Sequence, residues 1–389
     1  SVSTPVIEKS HSSVRSTMLD LIRGISAIAV LLSHARVMLL ESMSGHITNP
    51  GIRIFYMLSS YGHSAVMIFF VLSGYLVGGS VIRSSKENRW SWRSYLLARG
   101  ARLYVVLIPA LLLTWLLDYG EFFITRGVVG NNDTGRAVID SAAIHANSTL
   151  SIFLGNLFFC QTILVPALGS NTALWSLANE FWYYMVFPLL FLIFNSQMAL
   201  MKRVVHALVL TLMLFFIRSK VDECLLAWLA GALVAMMKPI DKSWFQKSWV
   251  GLLCGLVFAG VLLAVGVGRL HSDGRERLYV AAAFVPLLIW ILQKDKSFTY
   301  EALGKVIRGL AGCSYTLYAI HLPIVALLRA KFSYEKPMTA TVSNCLLVLV
   351  FCLAIVAIAW IASLFTEAKT DRFRSFLSRA LPGKTRAVQ

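Results

Sequence analysis

The sequence predicts an all-α, polytopic membrane bundle of about ten transmembrane helices, with one further re-entrant or interfacial segment. Three observations predict it. The 389 residues are 57% hydrophobic and only 14% charged, and their mean hydropathy is +0.70, well above that of soluble domains. Several windows run for roughly eighteen or more apolar residues, long enough to cross a bilayer core. No long polar stretch separates these windows, so no soluble domain of useful size is expected.

The spans are expected at 18–40, 63–82, 100–118, 173–195, 204–217, 223–237, 248–267, 278–293, 310–328 and 341–365. A polar tail, 1–17, precedes the first span, and a basic tail, 366–389, follows the last, which leaves 18–365 as the membrane domain. The second span contains FFVLSGYLVGGS, where Gly74 and Gly78 form a small-xxx-small face suited to close helix packing. Ser73 lies beside that face, and Gly74 could also let a thin ligand arm pass. The third span opens on LLARGARLY, the fourth on LWSLANEFWYY, and the ninth carries SYTLYAIHLPIV. The fifth and sixth are short and need tilt or local thinning. The stretch 151–169 does not fit this series: Asn156 and Gln161 interrupt it, and it ends on a proline and a glycine. Irregular backbone at membrane depth requires a protein or water lining, so this segment is expected to re-enter or lie at the interface. A full span there would invert everything downstream.

Orientation follows from Lys and Arg. With the N-terminus inside, the inner segments hold 23 of these residues and the outer ones 11. Both termini are then expected in the cytoplasm. This bias also accounts for the formal net charge of +17, so no nucleic-acid partner is expected. The six cysteines are dispersed, and no metal-ligand spacing appears.

Polar residues inside the spans mark the chemistry, because ionisable groups there are costly and face a bundle interior or an aqueous path. Arg23 and His34 are eleven residues apart, so they share one helix face and are separated by about 16 Å along the axis. Snorkelling to the interface explains Arg23 taken alone, and a packed histidine explains His34 taken alone. Their shared face points to one polar tunnel. Glu180 begins the fourth span at a depth close to that of His34, so an imidazole–carboxylate pair is expected between them. The bland reading of Glu180 is a carboxylate favouring the helix dipole. His321 lies near midspan with Tyr318 one turn before it. Arg99 and Arg102, with Arg23, would make a basic mouth suited to phosphates.

These stretches, taken together and in order, resemble the acyltransferase-3 family of integral membrane O-acyltransferases. LDLIRGISAIAVLLSHA resembles its first-helix motif, here Arg23 and His34. FFVLSGYL, LLARGARLY, LWSLANEFWYY and SYTLYAIHLPI are similar to its later motifs, the last here Tyr318, His321 and Pro323. Asn179 departs from the acidic residue often found before the glutamate, and Pro109 is displaced. The resemblance implies a ten-helix core, an acyl-coenzyme A donor from the cytoplasm (most often acetyl-coenzyme A), and a sugar hydroxyl of a surface or exported glycan or lipid-linked sugar as acceptor. It also implies a bacterial inner-membrane location among membrane lipids.

A thioester needs a nucleophile made basic and an oxyanion stabilised, and neither requires a metal. His34 is expected as general base with Glu180 as its partner. Arg23, Arg99 and Arg102, with Ser73 and Gly74, are expected to hold the donor. Trp175, Ser176 and Asn179 are oxyanion candidates. Tyr183, Tyr318 and His321 are further substrate-site candidates, and an acyl-enzyme on Ser176 or Tyr183 is a rival route. The alternative function is a proton-coupled transporter that uses the buried Arg, His and Glu as a relay.

Overall fold

The computed structural model describes residues 13–43, 47–125, 141–196, 198–218, 222–238, 240, 244–268, 276–294, 299–333 and 336–381. The first twelve residues of the expected N-terminal tail and the last eight of the C-terminal one lie outside the described residues.

The described chain is all helix. It runs α1 (Val14–Leu39), α2 (Pro50–Leu58), α3 (Gly62–Ser73), a π-turn (Gly74–Gly78), α4 (Gly79–Lys86), α5 (Trp92–Thr125), α6 (Ser141–Ala146) and α7 (Leu150–Leu157). A 3-10 turn (Thr172–Leu174) leads into α8 (Trp175–Ile193). Then follow α9 (Leu200–Phe216), α10 (Glu223–Met236), α11 (Ser248–Gly266), α12 (Glu276–Leu292), α13 (Glu301–Phe332), α14 (Val342–Ser363), a second 3-10 turn (Glu367–Lys369) and α15 (Thr370–Ala380). Among the described residues the only β pairings are isolated bridges, Leu40–Met338 and Gln161–Val165.

Among the described residues, seven helical stretches are long and apolar enough to cross a membrane: Val14–Leu39, Pro50–Lys86, Trp92–Thr125, Thr172–Ile193, Ser248–Gly266, Glu301–Phe332 and Val342–Ala380. Each of the ten expected spans coincides with a helix. The other three, α9, α10 and α12, have 17, 14 and 17 residues, about 21–26 Å at 1.5 Å per residue. By length alone they fall short of a roughly 30 Å core. The outer helices present apolar side chains outward, as lipid-facing surfaces do. Leu346, Val350, Leu353 and Trp360 of α14, and Leu252, Leu256 and Val257 of α11, are exposed.

The segment 151–169 forms no spanning helix. α7 stops after eight residues, and Phe159, Thr162 and Gly169 take positive φ. Asn156 and Gln161, the two polar interruptions, are fully buried; Asn156 binds the loop to itself and Gln161 ties it to the 3-10 turn before α8. The Asn156 amide donates to Ile152 O and Pro166 O and accepts from Leu168 N, and Gln161 donates to Leu174 O at 2.9 Å.

α13 is the central helix, packed against α1, α5 and α14. α3 and the π-turn pack on the buried face of the short α10, whose other face leaves Leu226 and Leu233 exposed. A Cβ at Gly74 would collide with Trp228 O, and one at Gly231 with Val71 O. The two glycines therefore let α10 and the π-turn touch backbone to backbone.

Candidate functional site

A cavity of about 480 Å³ opens among α1, α3, the π-turn, α4, α5, α8, α13 and α15. Arg23, Arg83, Arg99, Arg102 and Arg374 line it, together with Glu180, Ser73 and Tyr184. Three of these arginines are the ones expected as a basic mouth. Arg23 is held by α13: one Nη lies 3.4 Å from Ala311 O and 3.4 Å from Ser314 Oγ, and the other is 3.6 Å from Asp20. Arg102 lies over the Tyr315 ring and Arg99 over the Tyr95 ring. The Arg99 Nε and the Tyr315 hydroxyl are buried with no hydrogen-bond partner among the described residues, so both retain donors for a bound group.

Sequence reasoning missed the contribution of α15. The expected basic tail begins as a helix that packs on α5 and carries Thr370, Asp371 and Arg374 to the cavity wall. Two contacts fix it. Glu367 accepts from the Thr316 backbone N–H at 3.0 Å and from Thr316 Oγ1 at 2.9 Å, and Arg93 donates to Ser378 O and Leu381 O at the helix C-terminus. The sequence signal was present: TDRFRSFLSRA spaces apolar residues at helical intervals on a basic background.

Glu180 sits at the inner wall. Its Oε1 accepts from Ser73 Oγ at 2.8 Å and from the Tyr184 hydroxyl one turn on. Ser73 in turn accepts from Trp228 Nε1 at 3.2 Å. Ser73 immediately precedes the π-turn, a local widening of the helix of the kind that accompanies functional positions.

The expected His34–Glu180 pair does not form. His34 Nδ1 meets His321 Nε2 at 2.7 Å, and the titratable groups that His34 interacts with are His321 and His63. Matching two groups for depth left their faces undetermined, and α13, not α8, packs along α1. Gly74 also departs from expectation: it packs on α10 and does not line the cavity. Trp175, Asn179 and Tyr183 do not line it either. Tyr183 donates to Asp222 at 3.0 Å and accepts from Asn179, so its hydroxyl is turned to the start of α10. Ser176 and Tyr318 do line the cavity. Ser176 Oγ donates to the Tyr318 hydroxyl at 2.6 Å, which donates to Ala173 O at 3.1 Å, so both hydroxyl hydrogens are already engaged. Tyr318 joins the two regions: it belongs to the cavity wall and its ring centroid lies 5.8 Å from that of His321.

Two helix prolines shape this site. Pro323 has no N–H for Ala319 O, and Asn171 Nδ2 donates to that carbonyl at 2.9 Å instead, while also reaching Thr114 Oγ1. Pro188 likewise frees Tyr184 O, which accepts from the Tyr95 hydroxyl at 2.8 Å. Asn171 is held in turn by its neighbour: Ser170 donates through N (3.0 Å) and Oγ to the buried Asp118. Asp118 stands at the end of the apolar run expected to span at 100–118, and nothing in the sequence alone marked it as a partner of Ser170.

A family model described as an acyltransferase domain matches residues 17–364. An uncharacterized protein of Haemophilus influenzae is 29% identical over 155 residues, covering 39% of this chain and 56% of that protein. A protein of Shigella phage Sf6 named O-acetyl transferase is 30% identical over 178 residues, covering 44% of this chain and 45% of that one. The chain thus spans about half the length of the curated relatives it matches. No solved structure matches.

Proposed function

The chain belongs to the acyltransferase family, and from that premise we propose that it is an integral membrane O-acyltransferase. It moves an acyl group, most simply acetyl, from acyl-coenzyme A to a hydroxyl of a sugar in a surface or exported glycan. The observation that carries this reading is the convergence of five arginines from α1, α4, α5 and α15 on one cavity, with His34 further along the helix that supplies Arg23. Guanidinium groups bind phosphates bidentately, and coenzyme A presents several. Arg23, Arg99 and Arg102 hold the donor phosphates, joined by Arg83 and Arg374. Glu180, fixed by Ser73 and Tyr184, orients the donor arm at the inner wall. His34 is the general base that takes the acceptor hydroxyl's proton.

In this reading α9, α10 and α12 are tilted or locally thinned spans, which brings the count to ten. Both termini lie in the cytoplasm of a bacterial inner membrane, and the basic mouth opens there. The phage relative named O-acetyl transferase favours acetyl over longer acyl groups.

The test is paired. Surface polysaccharide from cells with and without the gene is compared by mass spectrometry, and the purified protein in proteoliposomes is titrated with acetyl-coenzyme A. A mass difference of one acyl group together with saturable donor binding is expected. Identical glycans and no donor binding would overturn the reading.

A further inference from the structure

His321 Nδ1 lies 2.8 Å from Tyr318 O and 3.1 Å from Leu317 O. Carbonyl oxygens only accept, so Nδ1 carries a hydrogen. A neutral imidazole has only one such hydrogen, which leaves Nε2 as a lone pair. His321 is fully buried, and its hydrogen-bond partners are those two carbonyls and His34. Among the described residues no carboxylate is hydrogen-bonded to it to balance a charge, and a buried charge without a counter-ion is strongly disfavoured.

The lone pair at His321 Nε2 faces His34 Nδ1 at 2.7 Å. The ring planes differ by 5° and the centroids are 5.1 Å apart. With the two nitrogens this close, that centroid separation means rings lying edge to edge in one plane, not face to face. An N–H on one ring then points straight at the lone pair of the other, the strongest arrangement of a hydrogen bond. His34 must therefore donate through Nδ1, and its Nε2 is left as a free lone pair.

We infer that His321 is a positioning residue that fixes the tautomer and the ring plane of His34, so that His34 Nε2 is the atom that takes the acceptor's proton. This rests on the reading of His34 as base. The step balances: the hydroxyl proton passes to His34 Nε2 and the oxygen's electron pair forms the new C–O bond. The thioester C–S bond breaks, and the proton goes to the leaving thiolate sulfur. While His34 holds the proton, its Nδ1–H bond to His321 becomes charge-assisted. A neutral imidazole thus plays the orienting part that a carboxylate plays in a Ser-His-Asp triad. It supports the imidazolium less strongly than a carboxylate, which leaves His34 free to return the proton. His321 is itself held in register, because Asn171 grips the adjacent turn at Ala319 O.

The test compares His321→Gln with His321→Leu and His321→Asn in proteoliposomes supplied with acetyl-coenzyme A. Gln places an acceptor oxygen near the position of Nε2. Leu offers none, and Asn is too short to reach His34. Loss of an orienting partner typically costs roughly 10–100-fold. His321→Leu and His321→Asn should show that loss in kcat with the donor KM unchanged, and His321→Gln should recover most of it. The second readout is nitrogen-15 NMR of histidine-labelled protein. His34 should show a protonated Nδ1 and an unprotonated Nε2 in the wild type and in His321→Gln, and lose that pattern in His321→Asn. His321→Gln as inactive as His321→Asn, or a protonated Nε2 on neutral His34 in the wild type, would overturn the inference. Full turnover by His34→Gln would instead overturn the base assignment, and the NMR arm would still decide whether His321 sets the tautomer.

Discussion

The carbonyl that Pro323 leaves without a helical partner makes a quantitative prediction. Ala319 O receives its hydrogen bond from Asn171 Nδ2 at 2.9 Å. Asn171→Ala removes that donor and leaves a buried acceptor orphaned, which costs about 1–3 kcal/mol. Little else is lost: Thr114 Oγ1, the other partner of Nδ2, keeps its own bond to Ala110 O at 2.7 Å, and the Asn171 Oδ1 has no partner to lose. In a Pro323→Ala background the new N–H at 323 can close the ordinary bond to Ala319 O. Asn171→Ala should then cost less than about 1 kcal/mol, the size of an ordinary net hydrogen bond. The four proteins are compared by reversible unfolding in mixed micelles, and the coupling energy is expected to be about 1–2 kcal/mol. Turnover should follow, because the turn that Asn171 grips carries His321. Tyr95→Phe and Pro188→Ala form a second such cycle around Tyr184 O. Costs that add to within about 0.5 kcal/mol would show the sites to be independent, and the carbonyl-rescue account would be refuted.

Three further outcomes are expected. Gly74→Ala drives a Cβ into Trp228 O and should cost at least the ~3 kcal/mol upper end of overpacking, read as lost folded yield, whereas Gly260→Ala, with nothing within 4 Å, should be silent. Arg23→Ala should weaken donor binding far more than thermal stability, with Arg23→Lys a partial rescue because a point charge cannot reproduce a bidentate contact; equal acetyl-coenzyme A titrations would remove Arg23 from the donor site. His34→Ala should cut transfer by roughly 10²–10⁴-fold while donor binding persists, and Glu180→Gln combined with Ser73→Ala should be scarcely worse than the poorer single variant, since Ser73 donates to Glu180; multiplicative losses for that pair would mean the two do not act together.

The helices were legible because apolar runs dictate them, and the interruption at Asn156 and Gln161 was legible because an amide in lipid needs a partner close by. The convergence of Arg23, Arg99 and Arg102 on one cavity was legible too, since charges at helix starts can be read one helix at a time. What escaped was azimuth. Depth placed Glu180 level with His34 but could not say that α8 turns Glu180 to Ser73 and Tyr184, nor that α13 brings His321 to His34. The partners of Pro188 and Pro323 escaped for a related reason. A proline announces a free carbonyl, yet only the three-dimensional arrangement shows that Tyr95 and Asn171, 93 and 152 residues away, fill the gaps. α15 was missed because a short basic amphipathic segment reads the same whether it lies on a lipid surface or closes over a cavity.

The contacts between α1 and α13 also bear on the segment 151–169. Gly24 sits against Leu310, Arg23 reaches Ser314, His34 meets His321, and beyond the ends of both helices Leu40 pairs with Met338 in a parallel bridge. The numbers rise together, so the two helices run parallel. Two parallel helices in a membrane bundle need an odd number of crossings between them. Pro50–Lys86, α5, α8 and α11 are long enough to cross; if the shorter α9, α10 and α12 cross as well, as proposed above, the crossings between α1 and α13 number seven. A crossing at 151–169 would make eight and turn α13 antiparallel to α1. The parity therefore supports a segment that turns back, and with it a mouth formed at the N-terminal ends of α1, α5 and α13 together with α15. In the proposed orientation, which follows the Lys and Arg balance, that side faces the cytoplasm, and His34 lies about 16 Å further along the α1 axis than Arg23. A donor held by its phosphates at the mouth would extend its thioester arm inward, and the acceptor hydroxyl would come to His34 from the opposite side.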